Sequence, residues 1–288
     1  MKQLFTSAMA LCVCMGAFAQ TDTTGPKTVD TIKIGNIIII KKGDGKTTEP
    51  KEEKKSDNDD GVTVEIKKRK EYKPSNISTN WWIVDLGFAN VNDQTNYAAI
   101  SGPAGYIRPS GDKNLMGLRT SKSVNVNIWF FMQRVNLIKH AVNLKYGLGL
   151  ELNNYRFENN IRFQYEPTDF INRDAQVSKF DKNKLAADYI TLPVMLNFNF
   201  TPKKKKSYGL SAGVSAGYLY TARQKLISDE RGKEKIKNDF NLNPWKLSAI
   251  GELNLGTIRF YGSYALNNMF NSGLDQTPYN FGIRFSSW

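Results

Sequence analysis

The chain has 288 residues, with 40 Lys and Arg against 27 Asp and Glu, a net charge of +13 and a single histidine. That length accommodates one or two domains, two cysteines are too few for a disulfide-built scaffold, and a mean hydropathy of −0.46 is that of a water-soluble chain rather than a bundle of membrane helices. The basic balance alone would suit nucleic acid, but the first twenty residues argue for another destination.

Lys2 gives a positive start, Leu4 to Gly16 is largely apolar and uncharged, and Ala17-Phe18-Ala19 is a small-x-small site before Gln20. This is the pattern of a secretory signal peptide over residues 1–19, with cleavage expected after Ala19. The apolar stretch falls short of the roughly 20 residues that a spanning helix needs. Cleavage would remove Cys12 and Cys14, leaving no thiol nucleophile, disulfide or cysteine metal site. A lipoprotein start would need a small residue before the acylated cysteine, where Leu11 and Val13 stand instead.

Residues 20–80 read as a polar periplasmic segment. The tract Lys41 to Asp60 is dominated by charge and cannot bury enough apolar surface to order itself. Two β-prone runs flank it, Thr31 to Lys41 and Val62 to Ile66, each a candidate strand of one small hairpin, with a plain linker as the alternative. A lone hairpin is marginal in water. Lys67-Lys68-Arg69-Lys70 suits contact with anionic headgroups or plain solvation.

From Trp81 to Trp288 the pattern changes to period-two alternation, the signature of half-buried strands. Eight runs are predicted: 81–91, 123–133, 141–153, 189–200, 208–220, 245–255, 257–267 and 278–288. One face is apolar, as in Trp82, Val84, Leu86 and Phe88, or Ile190, Leu192, Val194, Leu196 and Phe198. In the second run Val124, Val126, Ile128, Phe130 and Met132 share that face. The other face is rich in Gly, Asn, Ser and charge. Pro193 lacks a ladder donor and predicts a bulge. Runs of about eleven residues match the ~9–11 of a tilted membrane strand, and aromatics gather at run ends as membrane girdles do.

The connections alternate long and short. The long ones are 92–122, 154–188, 221–244 and 268–277; the short ones lie near 134–140, 201–207 and 255–256. An eight-stranded antiparallel up-and-down transmembrane β-barrel predicts this, with long loops outside and both chain ends in the periplasm. A two-residue turn at Leu255-Gly256 would pair Leu253 with Ile258 and Glu252 with Arg259, matching like with like on each face. The competing fold is a lipocalin-like barrel with its apolar face inward. Eight strands leave an interior little wider than side chains, which the bulky faces of the third and fourth runs would overfill.

Residues 81–288 resemble the small outer-membrane β-barrel domains common in Bacteroidota and described as PorT-like. The likeness rests on Trp81-Trp82-Ile83-Val84-Asp85-Leu86-Gly87-Phe88, on Tyr189-Ile190-Thr191-Leu192-Pro193-Val194, and on the ending Tyr279 to Trp288. That ending is similar to the signal read by the barrel assembly machinery, although Trp288 has the wrong parity unless Ser286-Ser287 forms a bulge. The resemblance implies an outer-membrane location and fold, with no activity attached.

Small barrels that are enzymes set His beside Ser, Asp or Glu at the outer rim. His140, the only histidine, falls at a predicted periplasmic turn. Asp169, Asp181, Asp229 and Glu230 lie in long loops without calcium-ligand spacing. No enzyme, metal or cofactor is therefore expected. The inward charges are Asp85, Lys145, Glu151, Lys246, Glu252, Arg259 and Arg284. Buried charges must be paired or solvated, which predicts a polar network plugging the lumen, with Glu252–Arg259 across one hairpin and Asp85 near Arg284 at the closure seam. A narrow pore lined by these charges is the alternative, and an outer-membrane enzyme ranks last. Aromatic loop segments such as Tyr155-Arg156-Phe157-Glu158 and Phe163-Gln164-Tyr165-Glu166 are candidate recognition surfaces. Expected partners are outer-membrane lipid and lipopolysaccharide, the barrel assembly machinery, and a periplasmic or cell-surface protein; nucleic acid is not among them.

Overall fold

A computed structural model describes residues 29–34 and 37–42 as backbone, and residues 74–165, 168–204 and 206–286 with side chains. The chain divides into two units, Met1–Glu71 and Tyr72–Trp288.

In the first unit, β1 (Val29–Ile34) pairs antiparallel with β2 (Ile37–Lys42), Ile34 opposite Ile37 and Val29 opposite Lys42. The intervening sequence is Gly35-Asn36, a composition that favours a two-residue hairpin loop. The run Thr31 to Lys41 is therefore not one strand awaiting a distant partner; it pairs with itself. Val62 to Ile66, the predicted signal stretch and the charged tract beyond Lys42 lie outside the described residues, while Lys41 and Lys42 at the start of that tract belong to β2.

In the second unit the described strands form a closed ring of eight. They are β3 (Ile77–Asp93), β5 (Val124–Ile138), β6 (Val142–Arg156), β9 (Lys182–Asn199), β10 (Tyr208–Ser228), β12 (Trp245–Leu255), β13 (Ile258–Ala265) and β14 (Gln276–Phe285). Each pairs antiparallel with the next, and β14 closes on β3 with Arg284 opposite Asp85 and Gly282 opposite Gly87. Closure leaves no barrel edge unpaired, which a lipid environment demands of every backbone donor and acceptor. The fold class expected from the alternation is the one observed; six of the eight runs are found within five residues of their predicted bounds, while β9 begins seven residues before its predicted start and β10 ends eight residues after its predicted end.

The apolar faces point outward. Leu86, Phe88, Ile190, Leu192, Leu210, Val214, Leu247, Phe260, Phe281 and Ile283 are all exposed, while Asp85, Asn125, Glu151 and Thr191 are buried inside. A lipocalin-like interior is thereby excluded. Trp81, Trp82, Phe200 and Tyr208 lie exposed near one rim, and Tyr218, Tyr220, Trp245 and Tyr264 near the other.

Two irregularities alter the simple alternation. Trp82 has a φ of 56°, and Trp81 and Trp82 are both exposed. Opposite them, the β5–β6 register shifts between Trp129 and Phe131. The extra residue reverses the phase of β5, so Met132 is fully buried rather than facing out beside Phe130 as the alternation implied. The doubled aromatics stay outside and meet, Trp81 with Phe131 and Trp82 with Phe130, each pair 5.9 Å between ring centroids. Pro193, by contrast, makes no bulge. The β6–β9 ladder lapses between Tyr146–Val194 and Gly149–Thr191 and resumes in the same register, while Pro193 keeps its place opposite Ser215 on β10.

The turn between β12 and β13 is Gly256-Thr257, with Gly256 at φ 78°. Leu255 faces Ile258 and Asn254 faces Arg259, two places from the expected register. A shift of two preserves every face, but it separates Glu252, which lies opposite Tyr261, from Arg259.

At the long-loop end β6, β9 and β10 continue past the aromatic rim, and β11 (Gly232–Lys237) folds back on β10. The other long connections carry the short helix α1 (Tyr97–Ile100) and a small sheet of β4 (Ile107–Arg108), β8 (Phe170–Arg173) and β7 (Ile161–Gln164). These pieces enclose an apolar core that includes Ile107, Leu115, Tyr155, Phe157, Phe163, Phe240, Leu242 and Phe270. Phe163 sits at its centre, stacked on Phe270 at 6.3 Å and edge-on to Phe240 at 5.6 Å. Tyr155, Phe157 and Phe163, which the sequence suggested as surface recognition groups, are core residues of a cap; Tyr165 alone of those aromatics is exposed.

Candidate functional site

The inward side chains of successive strands meet across the lumen. Asp85 on β3 is completely buried and takes two hydrogen bonds from Arg284 on β14, Nε to Oδ1 and Nη2 to Oδ2, both 2.7 Å. Trp129 Nε1 donates to the same carboxylate at 2.7 Å and Asn127 Nδ2 at 3.1 Å. This fork-to-fork geometry is the strongest form of a carboxylate pair, and the seam register places the two residues directly opposite. Arg284 Nη1 also donates to Glu252 on β12, and Glu252 in turn takes Lys145 from β6 across the lumen. Asp85, Arg284, Glu252 and Lys145 are thus one chain of alternating sign.

A second cluster lies toward the long-loop end. Lys246 on β12 pairs with Glu151 on β6, which also accepts from Asn153 Nδ2 at 3.1 Å and Asn280 Nδ2 at 3.0 Å. Asn125 ties the two clusters to the wall, donating to Asn127 and Asn153 at 2.9 Å each and accepting from Tyr261 OH at 2.6 Å. Both clusters are electrically balanced, two acids with two bases and one with one. That balance, with the added hydrogen bonds from Trp129 and the asparagines, offsets part of the penalty for taking ions out of water.

Arg259 stands apart. It donates to the Ser286 carbonyl at 2.5 Å near the short-turn mouth, because the turn register leaves Glu252 to Arg284 and Lys145. The expected Glu252–Arg259 pair does not form. Two small spaces remain: one polar, lined by Arg134, Lys145, Asn197, Glu252 and Arg259, and one between the clusters with a mixed lining of Asn127, Glu151, Tyr261, Pro193, Met195 and Ile250. The space open to a water's centre is about 20 Å³ in the first and 30 Å³ in the second, room for one or two waters each. An apolar group of Ile83, Trp129, Met132 and Met195 fills the wall beside Arg284.

Tyr261, which completes the asparagine tie, and the apolar plug around Met132 were not singled out from sequence. Tyr261 had a signal, since parity places it inward, but Met132 had none without the bulge. His140 lies in the β5–β6 turn, its backbone N–H held by Asn136 Oδ1 at 2.7 Å. Among the described residues no group of three His, Cys, Asp or Glu is placed to hold a metal. No described helix is long and apolar enough to cross a membrane.

A closed antiparallel ring of eight strands, apolar without and ionic within, defines a transmembrane β-barrel. Residues 85–271 match the outer membrane protein beta-barrel domain family, and the chain belongs to it. Its place is accordingly the outer membrane. Comparison with curated proteins returns no match.

Proposed function

We infer that the chain is a non-enzymatic outer-membrane barrel with a closed lumen, acting as a structural or interaction protein through its capped long-loop end and its N-terminal segment. The observation that carries this reading is the state of the lumen: balanced buried ion pairs span it, and an apolar cap covers one end. A conducting pore needs a continuous wetted path, whereas the spaces beside the ion pairs accommodate one or two waters each. In this reading residues 1–19 are removed as a signal peptide, residues 20–76 and the three short turns face the periplasm, and the four long connections face the cell surface, as short-turn and long-loop ends do in barrels of this kind. PorT-like kinship, suggested by sequence, is part of the same proposal.

The test is conductance of the purified full chain in planar bilayers. Stable step openings would overturn the closed-lumen reading in favour of the narrow pore; a silent bilayer with a heat-modifiable gel band is the expected result.

A further inference from the structure

Beyond the aromatic rim at the long-loop end, the outer face of β6, β9, β10 and β11 is a field of cations. Arg156 lies opposite Lys184, Lys184 opposite Lys225, and Lys225 opposite Lys235, a single cross-strand line over four neighbouring strands. Directly opposed residues share a face. Their chain neighbours Tyr155, Phe157, Leu185 and Leu226 are buried in the cap, so this line points away from it. Period two adds Lys182, Arg223, Lys233 and Lys237 to the same face.

Of the acids nearby, Asp188 serves one cation of the face and two others are engaged elsewhere. Asp188 holds Arg223 at 2.6 Å, Glu234 turns inward to Arg162 at 2.6 Å, and Glu230 accepts from Ser178 Oγ at 2.6 Å. Arg156 donates to the Asp181 carbonyl, and Lys184 to Asn154 Oδ1. Cations set directly opposite one another repel, and partial burial together with Lys182, Arg223 and Lys225 pulls the Lys184 ammonium down to about 8, against the weaker pull of Asp188. The fold gives this row one carboxylate, at Arg223, and neutral acceptors at Arg156 and Lys184; a ligand of opposite charge would offset the repulsion that is left.

Its height suggests the ligand. Tyr218 and Tyr220 are exposed at the rim on β10, and Arg223 and Lys225 follow three and five residues later. At ~3.3 Å per residue and a tilt of about 40°, these stand roughly 8 and 13 Å beyond the rim. Arg223 thus stands at the outer edge of a headgroup layer, which extends about 5–8 Å past the hydrocarbon, and Lys225 about 5 Å above that edge, within reach of a lysine chain that lies down toward it.

We propose that this sheet face binds the phosphate groups of phosphorylated glycolipid headgroups in the surrounding leaflet. The proposal rests on the membrane orientation inferred above, with the long-loop end at the cell surface. The test is titration of the full chain in detergent with bisphosphorylated lipid A, the same lipid stripped of phosphate, and inorganic phosphate. The expected result is tight binding of the first only, and a loss on the order of tenfold or more in K184Q/K225Q/K235Q, given ~1 kcal/mol per surface lysine. The charge-keeping K184R/K225R/K235R retains binding, and K203Q/K204Q/K206Q, on the opposite rim, leaves it unchanged. The band shift of unheated samples verifies folding of every variant. Equal binding of the phosphate-free lipid, a triple Gln variant within about twofold of the parent, or inorganic phosphate binding as tightly as the lipid would each overturn the proposal. Because the titration reads the face whichever way the barrel points, orientation is read separately: a D229C label that reacts with an impermeant maleimide only after cell lysis would sink the orientation and leave the phosphate result standing.

Discussion

Neutralising the Asp85–Arg284 pair should reveal whether the lumen is dry. Arg284 makes two 2.7 Å hydrogen bonds to Asp85, a further ion pair with Glu252, and lies 5.5 Å over the Trp129 ring. R284M leaves two carboxylates sharing only Lys145, and breaking a buried pair in this way costs about 3–5 kcal/mol. D85N leaves the guanidinium facing an amide and shifts the imbalance to the other sign, at a cost of about 3 kcal/mol. The double variant D85N/R284M restores neutrality, with Glu252 and Lys145 still joined, so its cost falls below the sum of the singles by about 2 kcal/mol or more. Urea unfolding in lipid vesicles, followed by tryptophan fluorescence, measures all three; Trp129 touches Asp85 directly and reports on the site. In a water-filled lumen the same charges would interact by only ~1 kcal/mol at 4 Å. Additive single and double costs would therefore refute the plugged interior and return the pore to consideration.

Three further outcomes follow from the geometry. L192R places a charge at an exposed position mid-span on β9 and should cost about 2–4 kcal/mol, against ~0–1 for F200R at the rim; equal costs would deny the lipid contact. G282A brings a Cβ to 2.2 Å from the Leu86 carbonyl across the seam, so a destabilisation of about 1–3 kcal/mol is expected, read as a lowered temperature for loss of the gel shift; an unchanged temperature would contradict the close approach. Partial burial, and then the cations Lys182 on its own strand and Arg223 and Lys225 on β10, lower Lys184 to about 8 in the folded chain against an ordinary 10.5, with Asp188 the opposing acid and Arg156 facing it from β6. Between those values the unfolded chain holds more protons, so stability should rise as pH increases from about 8 to about 10.5. The gain is of order 1 kcal/mol after solvent screening of a half-exposed group, and K184Q should abolish that part of the rise; a variant with the parent's pH profile would refute the assignment.

The strands and their faces were legible because lipid outside and polar groups inside impose period two on each strand. Partnership was less legible. Glu252 lies 107 residues from Lys145, and Glu151 lies 95 from Lys246; these meetings depend on stagger around the ring, which alternation does not encode. The hairpin error at Gly256 shows the same limit: parity survives a two-place slip while the ionic partner changes. At Trp82 and Phe130 the one available signal was the doubling of aromatics, since two consecutive exposed rings need an irregular strand. The cap was hidden for another reason. Phe157, Phe163 and Phe240 sit in segments too short and mixed to show a period, so their burial emerges only when four separate connections meet.

The seam joins the first ring strand to the last, and its ionic clasp links residues 199 positions apart. Until Arg284 has been synthesised, Asp85 and Glu252 have only Lys145 to oppose them, and the sheet has two open edges. A chain cut short before β14 is therefore not a slightly weaker barrel but an unclosed sheet in which Asp85 and Glu252 outnumber Lys145. Synthesis of β14 is thereby coupled to completion of the wall, and products that lack it are set apart from closed barrels by a difference in kind that any proteolytic surveillance of the envelope can act upon.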